Sequence, residues 1–206
     1  EIYTLSLHDA LPILVFLTPD RYPPIAELAQ PMLRLAGLRI NPRNNGPRGA
    51  VSYVTAEVVD LATRKKTPVA IPAGARLGAP QWSADGKLAA AAVYHADRIE
   101  LLVLNAATGA ARVLPGIRLN AAYRDPIEWM PDSRRVVLQT IPANRGAAPA
   151  EPVAPAGPDI QESFGKAGPA PTYQDLLRNE HDEKLFDYYC ASQTAIVDVA
   201  TGRATP

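Results

Sequence analysis

Three stretches of the chain can be laid over one another without a gap. Val58–Arg64 reads Val-Val-Asp-Leu-Ala-Thr-Arg, Val103–Gly109 reads Val-Leu-Asn-Ala-Ala-Thr-Gly, and Ile196–Gly202 reads Ile-Val-Asp-Val-Ala-Thr-Gly. Each is the end of an apolar strand followed by a turn. Asp or Asn suits the start of such a turn because its side chain bonds nearby backbone, and Gly suits its end because it accepts positive φ. Short second strands are predicted after the turns, at Thr67–Ile71, Ala111–Pro115 and Arg203–Pro206.

A second element repeats between these. Pro80–Leu88 (Pro-Gln-Trp-Ser-Ala-Asp-Gly-Lys-Leu) aligns with Ile127–Arg135 (Ile-Glu-Trp-Met-Pro-Asp-Ser-Arg-Arg). Both predict a short strand with Trp, a tight turn, then an apolar strand, Leu88–Tyr94 or Val136–Ile141. Trp82 and Trp129 lie 47 residues apart, and Asp60 and Asn105 lie 45 apart. A period of roughly 40–50 residues holding several short strands marks a β-propeller blade. The fold class is therefore all-β: an incomplete β-propeller of about three four-stranded antiparallel blades, with short helical insertions. The blades are placed at residues 14–73, 78–116 and 127–206, the middle one as Gln81–Ser83, Leu88–Tyr94, Glu100–Asn105 and Ala111–Leu114. Propellers close with about 4–8 blades, so faces and edges are expected to lie open, with Val136, Val137, Leu138 and Ile196 on the open side.

Two insertions interrupt the repeat, at 19–49 and 142–189. The first predicts a helical turn at Pro24–Ala29, a strand at Leu33–Ile40 and a polar Asn-Pro-Arg-Asn-Asn-Gly loop. The second opens with a Pro/Ala/Gly-rich run, Pro142–Pro171, that cannot pack as a core. It then predicts a capping box at Thr172–Asp175 and two short helices broken at Asn179, with Leu176, Leu177, Leu185, Phe186 and Tyr189 as apolar anchors.

The chemistry-bearing residues are few. The formal net charge is zero and no basic, aromatic-rich stripe exists, which argues against nucleic acid as a partner. No apolar run approaches the ~20 residues of a membrane-spanning helix. The single cysteine, Cys190, excludes an intrachain disulfide and reads as a small buried hydrophobe rather than a nucleophile, having no basic neighbour. No serine sits in Gly-x-Ser-x-Gly, so no nucleophile elbow is present. His95, beside Asp97, reads as a turn residue; His181, in His181-Asp182-Glu183, belongs to a capped helix start rather than to a metal site. Asp85-Gly86 and Asp132-Ser133 are hairpin turns, Arg134-Arg135 a solvated strand end, and Trp82 and Trp129 packing between sheets. No catalytic, cofactor-binding or metal-ligating residue is assigned, and no cofactor is expected.

Two resemblances add to this. Glu1–Ile13, Glu-Ile-Tyr-Thr-Leu-Ser-Leu-His-Asp-Ala-Leu-Pro-Ile, resembles, codon for codon, the translated end of a common short-read sequencing adapter. Residues 1–13 are accordingly read as an artefact fused in frame, and the His8-Asp9 pair is set aside with them. With no initiator Met and an end inside a repeat, the chain is read as a gene fragment. The run Pro23–Ile40 (Pro-Pro-Ile-Ala-Glu-Leu-Ala-Gln-Pro-Met-Leu-Arg-Leu-Ala-Gly-Leu-Arg-Ile) resembles a stretch of the prolyl oligopeptidase family, and within it the glutamyl endopeptidases and their bacterial homologues. Gly157–Ser163, Thr172–Leu177 and Asp187–Tyr189 resemble a second block of the same group.

That resemblance implies a serine peptidase in two parts, an N-terminal propeller and an α/β-hydrolase domain carrying Ser, Asp and His. This chain matches only the propeller, so none of the family's catalytic residues falls on it, and alone it should be inactive. Its expected role is to cap the hydrolase domain and gate peptide access. The implied partners are a peptide substrate and the missing hydrolase domain, with no nucleic acid and no membrane; the fragment itself is expected to self-associate. The alternative is a non-enzymatic β-propeller binding module, which the repeats alone fit equally well. Location is open, with a periplasmic or secreted parent compatible with a signal peptide lost upstream.

Overall fold

In the computed structural model, residues 4–7, 13–19, 22, 25–152, 165 and 175–205 are described, residues 4–7 by backbone alone. The first antiparallel meander runs β1 (Thr4–Leu7), β2 (Ile13–Pro19), β6 (Tyr53–Asp60) and β7 (Lys66–Pro68). Between β2 and β6 lie α1 (Ile25–Leu28), β3 (Leu33–Leu35), β4 (Leu38–Asn41) and β5 (Gly46–Pro47), the last three forming a small sheet of their own. After the two-residue β8 (Arg76–Leu77) comes the second meander: β9 (Gln81–Trp82), β10 (Leu88–Tyr94), β11 (Ile99–Asn105) and β12 (Ala111–Leu114). The third is β13 (Ile127–Trp129), β14 (Arg135–Thr140), β15 (Gln193–Asp198) and β16 (Ala204–Thr205), with α2 (Glu180–Cys190) between β14 and β15. The fold is all-β and blade-like, an open stack of antiparallel meanders rather than a closed ring.

The three turns first seen as a sequence repeat have one geometry. Asp60 Oδ1 accepts from the N–H groups of Ala62 and Thr63, at 2.8 and 3.0 Å, and Asp198 Oδ1 accepts from Ala200 and Thr201 at 3.0 and 2.9 Å. Asn105 Oδ1 accepts from Thr108 N at 3.0 Å. The closing residue is left-handed in all three, with φ of 58° at Arg64 and 72° at Gly109 and Gly202.

The second meander is covered on both faces, which is why β10 and β11 read as continuous apolar runs rather than alternating ones. Ala89, Ala91, Val93, Leu102 and Leu104 face the first meander, packing with Val15, Leu17 and Val58. Ala90, Ala92, Leu101 and Val103 face the third, packing with Ile127, Val136, Leu138 and Val197. Trp82 and Trp129 sit at these two junctions, and Trp129 Nε1 donates to Gln81 O at 2.9 Å. Of the four residues expected on the open side, Val136 and Leu138 point inward and are buried; Val137 and Ile196 hold the outer face. Alternation along a strand requires this division.

Two local expectations are corrected. Leu33–Ile40 is a hairpin, not one strand, because the chain reverses at Ala36-Gly37 with φ of 50° and 83°. Asn179 does not break two helices; it caps one, its side chain accepting from Asp182 N, and Leu176–Arg178 precede the helix as coil. The residues of the proposed Thr172–Gln174 capping segment, like Pro23, Pro24 and Gly157–Ser163, lie outside the described residues.

In a meander, successive turns alternate between the two ends of the sheet. Both insertions join the second and third strands of their meanders, where the middle meander has only His95–Arg98. Everything beyond the bare repeat is therefore gathered at one end of the sheets.

Candidate functional site

The insertion-bearing end is built from three connected parts. The first is apolar. Leu35 and Ile40 of the β3–β4 hairpin pack with Leu185 and Tyr189 of α2 and with Ala122 of the linker between the second and third meanders. Asp175 ties the same elements electrostatically: Arg39 Nε approaches its carboxylate to 3.1 Å, Arg34 to 3.6 Å, and its carbonyl accepts from Gly37 N at 2.9 Å.

The second part is a buried polar node. Asn45 Nδ2 donates to Tyr189 O at 3.0 Å and to Asn120 Oδ1. Asn120 Nδ2 in turn donates to Tyr189 O and Ala191 O, at 3.0 and 2.8 Å. Asn45 and Asn120 are 2% and 3% exposed, so their side chains depend on these partners rather than on water. Arg145 Nη1 donates to Asn45 Oδ1 at 2.5 Å while its guanidinium lies 4.3 Å from the centre of the Tyr188 ring. Sequence reasoning saw only a polar loop at Asn41–Gly46 and did not single out Asn120 or Arg145.

The third part is a cleft of about 510 Å³ between the first insertion and the second meander, lined in part by Glu27, Arg48, Arg76, Tyr94 and His95. Glu27 is held by Arg76 at both oxygens, 2.6 Å from Nη1 and 2.5 Å from Nη2, and its carbonyl accepts from Arg48. Burial, with a smaller contribution from Asp125, pushes the Tyr94 phenol up to about 12, so it stays protonated. His95 Nε2 is buried without a hydrogen-bond partner and lies 2.8 Å from Glu100 Oε2. Asp97, expected beside His95, pairs with Arg98 instead, at 3.0 Å.

The remaining candidates are structural. Asp132 pairs with Arg135 at 2.6 Å and Asp198 with Arg134 at 2.7 Å, all at the opposite end of the sheets. Asp182 is 5% exposed at the start of α2; burial works against its ionisation, but the N–H and guanidinium of Arg178 outweigh it and hold the carboxyl below its usual range. Cys190 ends α2 half-buried, and burial, reinforced by Asp187, pushes its thiol up, away from the reactive thiolate. Among the described residues, no serine or cysteine is hydrogen-bonded to a histidine, and no cluster of metal-ligating side chains occurs. No described helix is long and apolar enough to cross a membrane. Among its described residues, this end of the sheets holds no assembled nucleophile and base.

No family model matches the chain. It is 34% identical over 208 residues to the probable chloroplastic glutamyl endopeptidase of Oryza sativa subsp. japonica, which covers 93% of this chain. The chain is homologous to glutamyl endopeptidases. The corresponding Arabidopsis thaliana protein is 32% identical over 201 residues, covering 90% of this chain. The chain spans about a fifth of the length of these curated relatives, 22% and 21% respectively. Among solved structures, the acylaminoacyl peptidase of Pyrococcus horikoshii aligns over 100% of this chain and 24% of its own, with a TM-score of 0.45 and 15% identity. TolB from Acinetobacter baumannii aligns over 73% of this chain and 25% of its own, with a TM-score of 0.35 and 12% identity. In this glutamyl endopeptidase homologue, the described parts of the two family-like segments, Ile25–Ile40 and Asp175–Tyr189, are the ones that fold onto each other.

Proposed function

We propose that this chain is the propeller part of a serine peptidase of the glutamyl endopeptidase kind, with a partial propeller at residues 14–206 and catalysis in an α/β-hydrolase domain beyond it. The observation that carries this reading is 34% identity to a probable glutamyl endopeptidase across nearly the whole chain. The propeller caps that domain and restricts access to short or unfolded peptides. The catalytic serine, with histidine as base, attacks the scissile carbonyl. The insertion-bearing end supplies a shaped cleft, which fits a selecting role, and the chain alone is inactive in this reading. A purely binding propeller is disfavoured because the matched relatives are named as peptidases.

Glu1–Ile13 has no part in this function. The rice relative leaves 7% of the chain unmatched, close in size to this segment, and β1 needs only backbone pairing to a free edge of β2. Long-read sequencing of the genomic locus tests the point, and finding this peptide encoded upstream of Leu14 in intact DNA overturns it.

The test of the function is the complete reading frame. It should encode Gly-x-Ser-x-Gly downstream, and its product should cleave Glu-containing chromogenic peptides while residues 14–206 alone do not. A stop codon directly after a closing blade would instead support the binding module.

A further inference from the structure

The short helix α1 is inside out. Its one charged side chain, Glu27, turns inward and is gripped at both oxygens by Arg76. Its large apolar side chains turn outward: Ile25 is 82% exposed and Leu28 60%, and Tyr22 just before the helix is 89% exposed. Val51, 69% exposed, continues the apolar surface along the cleft that Leu28 also lines. Single exposed apolar residues are ordinary, but a group of them on one short helix whose charged side chain is tied to the protein by a two-point ion pair marks a contact surface.

The surroundings indicate what covers it. Residues 25–52 carry four arginines against one glutamate, in a chain of zero net charge. Arg34 and Arg39 are occupied by Asp175 and Arg48 by the Glu27 carbonyl, while the Arg43 side chain has no described partner. The complementary surface is apolar with an acidic margin. The matched relatives are about five times as long as this chain, so most of such a polypeptide is available, covalently tethered, to provide that surface.

We propose that the crest Tyr22–Ile25–Leu28 is the seat on which the catalytic domain of the same polypeptide docks, through an apolar patch with an acidic margin. This rests on the peptidase reading above. Docking there also places the cleft between the two domains, where a peptide must pass.

The test uses the full-length protein with Cys190→Ala, carrying Tyr22→Cys, Ile25→Cys, Leu28→Cys or Leu61→Cys one at a time. Leu61 is 47% exposed in the turn after β6, at the opposite end of the sheets, and serves as the free reference. Maleimide labelling is followed by peptide mass spectrometry, and peptidase activity is measured on each preparation. Positions 22, 25 and 28 should label at least about tenfold more slowly than position 61, since a docked surface reacts only when it opens. Equal labelling in a peptidase-active preparation overturns the seat and leaves the peptidase reading standing. A full-length wild-type protein that folds but cleaves no peptide overturns that reading, and the seat with it. Tyr22→Cys lies outside the helix, so it reports even where a substitution within α1 disturbs folding.

Discussion

At the scale of single residues, Asn45 and Asn120 decide whether the two insertions hold together. Asn120, 3% exposed, donates to two carbonyls at the end of α2 and accepts from Ala122 N and Asn45 Nδ2. Asn120→Ala leaves the buried Ala122 N–H without its acceptor and removes the link to Asn45, while Tyr189 O keeps Asn45 Nδ2, and should cost about 1–3 kcal/mol in chemical denaturation, the range for one buried unsatisfied group. This node was not legible beforehand. Asn45 could be read as a turn residue, and its φ of 62° agrees, but its burial depends on Asn120, 75 residues away. The turn aspartates were legible because their partners are two or three residues ahead. Asp132 is held at about 2, first by Arg135 and then by backbone N–H groups; Asp198 is also held at about 2, first by Thr201 N–H and then by Arg134. Both folded values lie below the ordinary 3.8, so the unfolded chain binds more protons between about pH 4 and 2. Their contribution is complete above that window and is lost as pH falls through it. Carboxyl carbon shifts in an NMR titration should show both groups still ionised at pH 3.

At the scale of elements, the repeat allows a comparison within one molecule. The left-handed position closing each turn is Gly109 and Gly202 in two copies and Arg64 in the third. A non-glycine residue there costs about 1–2 kcal/mol, partly offset by the roughly 0.5–1 kcal/mol that glycine loses in chain entropy. Arg64→Gly should therefore stabilise by about 0.5 kcal/mol. Gly109→Ala should destabilise more than Gly202→Ala, because a Cβ at 109 would lie 2.6 Å from Thr67 Cγ2, whereas at 202 its nearest neighbour is 3.9 Å away. Thermal unfolding of the three variants gives the order directly. Asn179→Ala should remove the cap of α2 at a cost of about 1 kcal/mol. Strands with a turn signature at each end were readable from the sequence. The Leu33–Ile40 hairpin was not, since Ala36-Gly37 gives a weak turn signal inside an apolar run, and the two-residue β8 is too short to show any period.

At the scale of the whole molecule, the second meander is packed on both faces while the third is packed on one. Val137 and Ile196 sit side by side on the outer face of the third, with Thr205 opposite Ile196 on the short edge strand β16. A lone face and edge of this kind favour association with another copy. Residues 14–206 at micromolar concentration should sediment as species larger than a monomer, and Val137→Lys with Ile196→Lys should restore the monomer. A monodisperse, cooperatively unfolding monomer of unsubstituted residues 14–206 would refute the open-stack reading. The number and order of the meanders followed from the repeat; the joint between the first two did not. There β8 pairs with Tyr53 on one side and with Val93 and Tyr94 on the other, at the insertion-bearing end alone. The two sheets are thus stitched like leaves of a book along one margin. Splaying should be greatest at the far margin, around Asp60–Arg64 and Asp85-Gly86, and least beside the stitch, an order that amide hydrogen exchange reads. The cleft lies beside it, with Arg48 and Val51 of the first insertion on one side and Tyr94 and His95 on the other, so its gape should change least as the stack breathes.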